Sequence, residues 1–350
     1  MRKLILTTAL TGLVIGGTAV AQTSITGEIR INHKAVSSKA ATTAGTTTSN
    51  RGFGIEQQLN ISNKGKLNVG GLTYAAGFSL ENDGVQTTTL FNENNYIDII
   101  NPASGTTISF SQDHIQRSDS GRNNSYHFGF DANDMSSSGV GTTGFSQIGG
   151  PCVGGSQSVA IVQTIPGFGN LSYNYAPTLT AACAGQTTTG AGSSEGLAES
   201  DEESAYEVGF VGDLGVKGLN VALFKSEQKK KPSSTVKDEG QYLGASYTAG
   251  AITAGVTRRE YNPDSTTTKV ENKETHFGLT YAVSPTISIN AAYAKVDITA
   301  TAADQKIKMI QVGYNLGPVA LVAGFAQNDD IGGTRGNDSD VFMTRLLTAF

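Results

Sequence analysis

The clearest signal along the chain is alternation with a period of two. Leu72, Tyr74, Ala76, Phe78 and Leu80 interleave with Gly71, Thr73, Ala75, Gly77 and Ser79. Phe277, Leu279 and Tyr281 interleave with His276, Gly278 and Thr280, and Ile287, Ile289, Ala291 and Tyr293 with Ser288, Asn290 and Ala292. A helix needs apolar positions three and four apart, whereas successive side chains of a strand point to opposite faces; these stretches are therefore strands with one apolar face. Extended along the chain, the pattern predicts sixteen strands, at about 25–33, 52–62, 66–81, 93–100, 105–112, 157–165, 168–176, 203–212, 217–226, 239–248, 251–260, 274–283, 286–297, 306–315, 318–327 and 340–350.

The connections alternate in length. Compact turn signals stand at Asn63-Lys64-Gly65, Asn101-Pro102-Ala103-Ser104-Gly105, Pro166-Gly167, Ser284-Pro285 and Leu316-Gly317-Pro318. Between them fall long polar segments at about 34–51, 82–92, 113–156, 177–202, 227–238, 261–273, 298–305 and 328–339. An even number of strands with short turns at one end and long loops at the other predicts an all-β fold: a closed, sixteen-stranded antiparallel transmembrane β-barrel with periplasmic turns and extracellular loops. Closure is required physically, because an open sheet edge in hydrocarbon leaves backbone N–H and C=O groups unsatisfied.

The N-terminus fits this picture. Arg2 and Lys3 precede an apolar stretch that runs from Leu4 to about Gly17, and Ala19-Val20-Ala21 has the small residues of a cleavage site. Residues 1–21 read as a signal peptide and 22–350 as the barrel domain. The apolar stretch is short for a spanning helix, and no later run reaches the roughly 20 apolar residues such a helix needs.

Composition excludes other classes. The formal charge of −5 becomes −7 once Arg2 and Lys3 leave with the signal peptide, so no basic surface suggests nucleic acid. The four histidines, at 33, 114, 127 and 276, are far apart, and no metal or cofactor motif is legible. Glycine is abundant, at 43 residues, and tryptophan is absent.

Parity assigns the inner face. Ile25, Ile29 and Ile31 face lipid, which turns Glu28 and Arg30 inward; Phe53, Ile55, Leu59 and Ile61 do the same for Glu56 and Gln58, although Gln57 interrupts that apolar face. Ile252, Ala254 and Val256 outside leave Thr253, Thr257 and Arg259 inside, and in the last strand Phe342, Leu346 and Phe350 oppose Met343 and Arg345.

The segment 113–156 carries Asp113, Asp119, Asp131 and Asp134 with Arg117 and Arg122, many glycines, and the aromatics Tyr126, Phe128 and Phe130. Glycine permits tight folding against a wall. The segment is a candidate constriction loop whose carboxylates face Arg30, Arg259 and Arg345 across a charged slot, the alternative being a solvated surface loop. The acids and amides of 328–339 read as solvated rim charge rather than as a cation site. Cys152 and Cys183 are the only cysteines, and export to an oxidising compartment favours a disulfide between them.

The chain resembles the general porins of Gram-negative bacteria. The resemblance rests on the start Ser24-Ile25-Thr26-Gly27-Glu28, the run Asn92-Glu93-Asn94-Asn95-Tyr96-Ile97, the segment Gly105-Thr106-Thr107-Ile108-Ser109-Phe110 before the longest loop, and the terminal Phe350. It implies a homotrimer of water-filled barrels in the outer membrane, among lipid and lipopolysaccharide, passing small hydrophilic solutes and ions, with the third long loop folded into the lumen. The chain departs from the family in having few arginines and in Thr348, where an aromatic or apolar residue is usual. With four Asp against two Arg in the candidate loop, weak cation preference is expected. A substrate-specific channel and a barrel adhesin remain alternatives. A hydrolase does not fit, because His276 has no nucleophile motif beside it.

Overall fold

A computed structural model describes residues 22–39, 47–83, 91–112, 130, 135, 157–177, 204–229, 237–262, 272–298 and 301–350. Sixteen strands run in chain order: β1 (Gln22–Lys39), β2 (Thr47–Lys66), β3 (Thr73–Asp83), β4 (Phe91–Asn101), β5 (Thr106–Gln112), β6 (Ser158–Ile165), β7 (Gly169–Ala176) and β8 (Ser204–Gly212), then β9 (Leu219–Lys229), β10 (Lys237–Ala249), β11 (Ile252–Asn262), β12 (Asn272–Ala282), β13 (Ile287–Ile298), β14 (Gln305–Asn315), β15 (Val319–Asp329) and β16 (Asp338–Ala349). Each pairs antiparallel with its neighbours in sequence, and β1 pairs with β16, so the sheet closes into a barrel with no free edge.

Two boundaries differ from the sequence reading. The long polar segment at about 34–51 is largely strand: β1 continues to Lys39 and pairs with β2 from Thr47 onward, Lys39 opposite Thr47. Serine and threonine dominate this stretch, and threonine suits a pleated ribbon as well as any apolar β-branched residue, so loss of the apolar face does not end the ladder. The third strand starts at Thr73 rather than at 66, because β2 runs to Lys66 and the chain reverses over 67–72, with Leu67 N–H bonded to Leu72 C=O at 2.9 Å.

The short turns are held by their own side chains. Asn101 Oδ1 accepts from the backbone N–H of Ala103 and of Ser104, at 3.1 and 3.3 Å. Asn315 Oδ1 accepts from Gly317 N–H and Asp213 Oδ1 from Gly215 N–H, both at 2.9 Å. These side-chain turns fix hairpin register at the rim where all the short connections gather.

Register and burial place a continuous apolar surface outside. Ile97, Phe110, Ile161, Leu243, Phe277, Leu279, Ile310 and Val312 are all exposed on the outer face. Tyr247, Tyr281, Tyr314 and Phe350 are exposed within a few residues of the short-turn rim, the position of an interfacial aromatic girdle. Serine, asparagine, glutamine and charged residues fill much of the inner face, among them Ser109, Ser172, Asn174, Glu207, Asn290 and Gln311.

Candidate functional site: the inner wall

The inner wall divides into sectors of different chemistry. On β1–β4 it is densely charged. Glu28 and Arg30 of β1 and Glu56 of β2 form one cluster in which the Arg30 guanidinium is ion-paired to both carboxylates. Glu56 stands directly opposite Arg30 in the register and Gln58 opposite Glu28, with Glu81 of β3 opposite Gln58 and Asp98 of β4 further round. Lys34 of β1 and Lys64 and Lys66 of β2 share the inward parity, so the sector carries charges of both signs.

On β5–β7 the wall is small and neutral, lined by Ser109, Ser111, Ser158, Ser172 and Asn174. On β8–β12 it is again charged. Glu207, Asp238, Arg259 and Glu274 are each buried, although parity turns them toward the lumen. Tyr261 donates to Asp238 at 2.7 Å, His276 is bonded to Glu274, and Arg259 faces Glu274 across the β11–β12 register.

The sector β13–β16 is unlike the rest. Its inward positions include Ala294, Val296, Ile307, Met309, Val322, Ala326, Val341 and Met343, a single apolar cluster. Phe130 and Met135, from the connection between β5 and β6, pack against it and are fully buried. Polar groups cross at three points. Phe130 N–H donates to Gln311 Oε1 at 2.8 Å, Gln311 Nε2 donates to Phe130 C=O at 2.6 Å, and Asn328 Nδ2 donates to Met135 C=O at 3.2 Å. Arg345 lies over the Phe130 ring, 4.9 Å from its centroid, and donates from Nε to Asn32 Oδ1 at 2.8 Å.

Of the residues singled out from sequence, Glu28, Arg30, Glu56, Gln58 and Arg345 therefore gather on the adjacent strands β16, β1 and β2. Arg259, on β11, stands six strands round from β1, so the three arginines do not share one wall. Asp113, Asp119, Asp131, Asp134, Arg117 and Arg122, both cysteines and the signal peptide lie outside the described residues. Parity alone did not single out Glu81, Glu207, Asp238 or Glu274. A signal for the apolar sector was present, since β14 is apolar on both faces: Ile307 and Met309 inside, Ile310 and Val312 outside.

In the 328–339 segment, the acids serve the loop itself. Asp330 Oδ1 accepts from Gly336 N–H at 2.9 Å, Asp338 Oδ1 from Asp330 N–H at 3.1 Å, and Asp329 pairs with Lys308 at 3.1 Å. Among the described residues no cluster of His, Cys, Asp or Glu is arranged to hold a metal ion.

A closed barrel that is apolar outside and charged inside is a transmembrane channel barrel. The profile of the Gram-negative porin family matches residues 7–333. The chain belongs to that family: it is a multi-pass outer-membrane protein, a passive-diffusion channel and not an enzyme. No curated protein matches it at a significant level. Among solved structures it is similar to the anion-selective porin from Comamonas acidovorans, at 16% identity and a TM-score of 0.67, covering 95% of this chain and 100% of that one. It is also similar to a loop-deletion mutant of OmpT from Vibrio cholerae, at 13% identity, a TM-score of 0.68 and coverage of 94% and 99%. A mutant of the Rh. blastica porin follows, at 14% identity, a TM-score of 0.59 and coverage of 94% and 100%. At these identities the likeness is one of fold.

Proposed function

We propose that the barrel is a water-filled pore for small hydrophilic solutes and ions, weakly cation-selective, narrowed by the 113–156 connection folding into the lumen. The observation that carries this reading is the charge of the inner wall. Glu28, Glu56, Glu81, Asp98, Glu207, Asp238 and Glu274 face Arg30, Lys34, Lys64, Lys66, Arg259 and Arg345 among the described inward positions. The small excess of fixed negative charge raises the local cation concentration, and the interspersed cations keep the preference modest. The long-loop rim is extracellular in this reading, with the girdle of Tyr247, Tyr281, Tyr314 and Phe350 at the periplasmic interface. The narrowing is supported by Phe130 and Met135 lying against the inner wall. The pore assembles as a homotrimer, as the family resemblance suggests, and chemical cross-linking in native membranes should yield a trimeric species.

Reversal potential across a planar bilayer in a KCl gradient tests the selectivity. A small potential of the cation-preferring sign is expected, shrinking as salt screens the wall. A clear anion preference overturns the assignment. Ligand-specific block of the current would instead favour a substrate-specific channel.

A further inference from the structure

A water-filled lumen has no reason to be lined with methionine and valine, yet the wall of β14–β16 is. We infer that this wall is a seat for Phe130, and that Gln311 is the positioning residue that holds the β5–β6 connection at a fixed depth, so setting the width of the open path. The inference rests on the channel reading above and adds which groups fix its narrowest part.

The seat is shaped for the ring. Met309, Val322, Ala326 and Met343 share one buried apolar cluster with Phe130 and Met135. Between them lies Gly324, directly opposite Gln311 in the β14–β15 register. A Cβ at Gly324 would stand 3.0 Å from Phe130 Cδ2, and 3.3 Å from both Gln311 Cγ and Met135 Cε. That is tighter than side chains normally approach, so the hydrogen of glycine leaves the hollow into which the ring fits. Burial of the ring also removes this apolar patch from water, which is favourable by roughly 25 cal/mol per Å².

The clamp is polar and bidentate. The Gln311 side-chain amide accepts from Phe130 N–H and donates to Phe130 C=O, the exchange that a paired strand residue would make. Both distances require the oxygen and nitrogen of the amide in this orientation, so the geometry fixes the assignment. Inside an apolar seat neither partner has water to fall back on, and an unmatched buried peptide group costs more than a made hydrogen bond returns. Depth and rotation of the segment at Phe130 are thereby set together. Asn328 holds Met135 C=O at a second point, and Arg345, tethered to Asn32, caps the outer face of the ring by a cation–π contact. Arg345 on this account positions the connection while its charge still counts on the wall, since the ring and Asn32 are both neutral.

Single-channel recordings of the folded protein test the assignment. Gln311→Leu keeps the volume and removes both hydrogen bonds, and Phe130→Ala empties the seat. Each should raise open-channel noise and mean conductance, because the docked-to-undocked ratio falls on the order of tenfold to a hundredfold. The double variant should be at least as noisy as the worse single one, since one removes the ring's packing and the other the bonds to the backbone of the same residue. Gln311→Glu separates positioning from packing. At acid pH its protonated carboxyl again offers one acceptor and one donor, and the quiet wild-type trace should return in this variant and not in Gln311→Leu. Wild-type currents in both Gln311→Leu and Phe130→Ala, with barrels that migrate as folded on unheated gels, overturn the seat. Noise in Phe130→Ala alone overturns the role of Gln311, as does a Gln311→Glu variant as noisy as Gln311→Leu at acid pH. If Gln311→Leu does not fold, Phe130→Ala, which lies off the barrel strands, decides whether the seat holds the connection. A silent wild type is a separate result: it removes the channel reading itself.

Discussion

Phe350 and Gly27 meet through both backbone and side chain. Gly27 N–H donates to Phe350 C=O at 2.8 Å, Phe350 N–H donates to Gly27 C=O at 2.9 Å, and the Phe350 ring covers the glycine, where a Cβ would stand 2.7 Å from Cζ. These bonds extend the β1–β16 ladder past the Glu28–Ala349 pair, so Phe350 takes part in the closure. The ring also shields backbone that glycine leaves bare, as aromatic residues do across from glycine in designed sheets.

Gly27→Val should therefore weaken closure. The branched side chain collides with both the ring and Gln58 C=O, at 2.9 Å from the Cβ position. Overpacking of this kind costs typically about 1–3 kcal/mol. A lower temperature for loss of the compact, SDS-resistant barrel on gels is the expected readout, and deletion of Phe350 should lower it in the same way.

Among the described residues, Arg30 is the cation ion-paired to both Glu28 and Glu56 in the β1–β2 cluster. Arg30→Ala leaves two carboxylates facing the lumen without their ion-pair partner. Reversal potentials should move toward stronger cation preference, most visibly at low salt. Glu56→Gln should move them the other way. An unchanged potential in both would place this cluster away from the ion path.

Inside and outside should respond oppositely to charge. Ile310 faces lipid and Gln58 faces the lumen. Ile310→Arg is expected to destabilise the barrel by up to about 2–4 kcal/mol, depending on depth in the membrane. Gln58→Arg should leave stability nearly unchanged and shift selectivity toward anions. Denaturant unfolding in lipid vesicles separates the two.

Cys152 and Cys183 should form a disulfide. Both follow or precede the β6–β7 hairpin, whose long-loop ends lie on one rim, and the bond would tether the trailing end of the β5–β6 connection. Closing that segment is worth roughly 3–4 kcal/mol by the chain-entropy estimate. Non-reducing peptide mapping should recover one linked pair. Two free thiols would remove the tether, and unchanged conductance noise after reduction would remove its role in the pore.

Much of the architecture is local information. Alternation in stretches such as 277–281 and 287–293 dictates strands. A face carrying Ile25, Ile29 and Ile31 dictates which side meets lipid, and that alone turns Glu28 and Arg30 inward. Even closure follows, because a bilayer tolerates no unpaired edge. What fills the lumen is not local. Phe130 and Gln311 are 181 residues apart, and nothing in the periodicity of either segment relates them. An inward methionine at 309 or 343 reads as an anomaly until the ring that covers it is in place. Likewise, parity turns Arg345 inward, but only the tertiary structure puts it over Phe130 and beside Asn32, where it also holds a neighbour. Strand facing is fixed by the two-residue repeat of the backbone, whereas the seating of Phe130 on the inner wall is fixed by contacts that exist only once the barrel has closed.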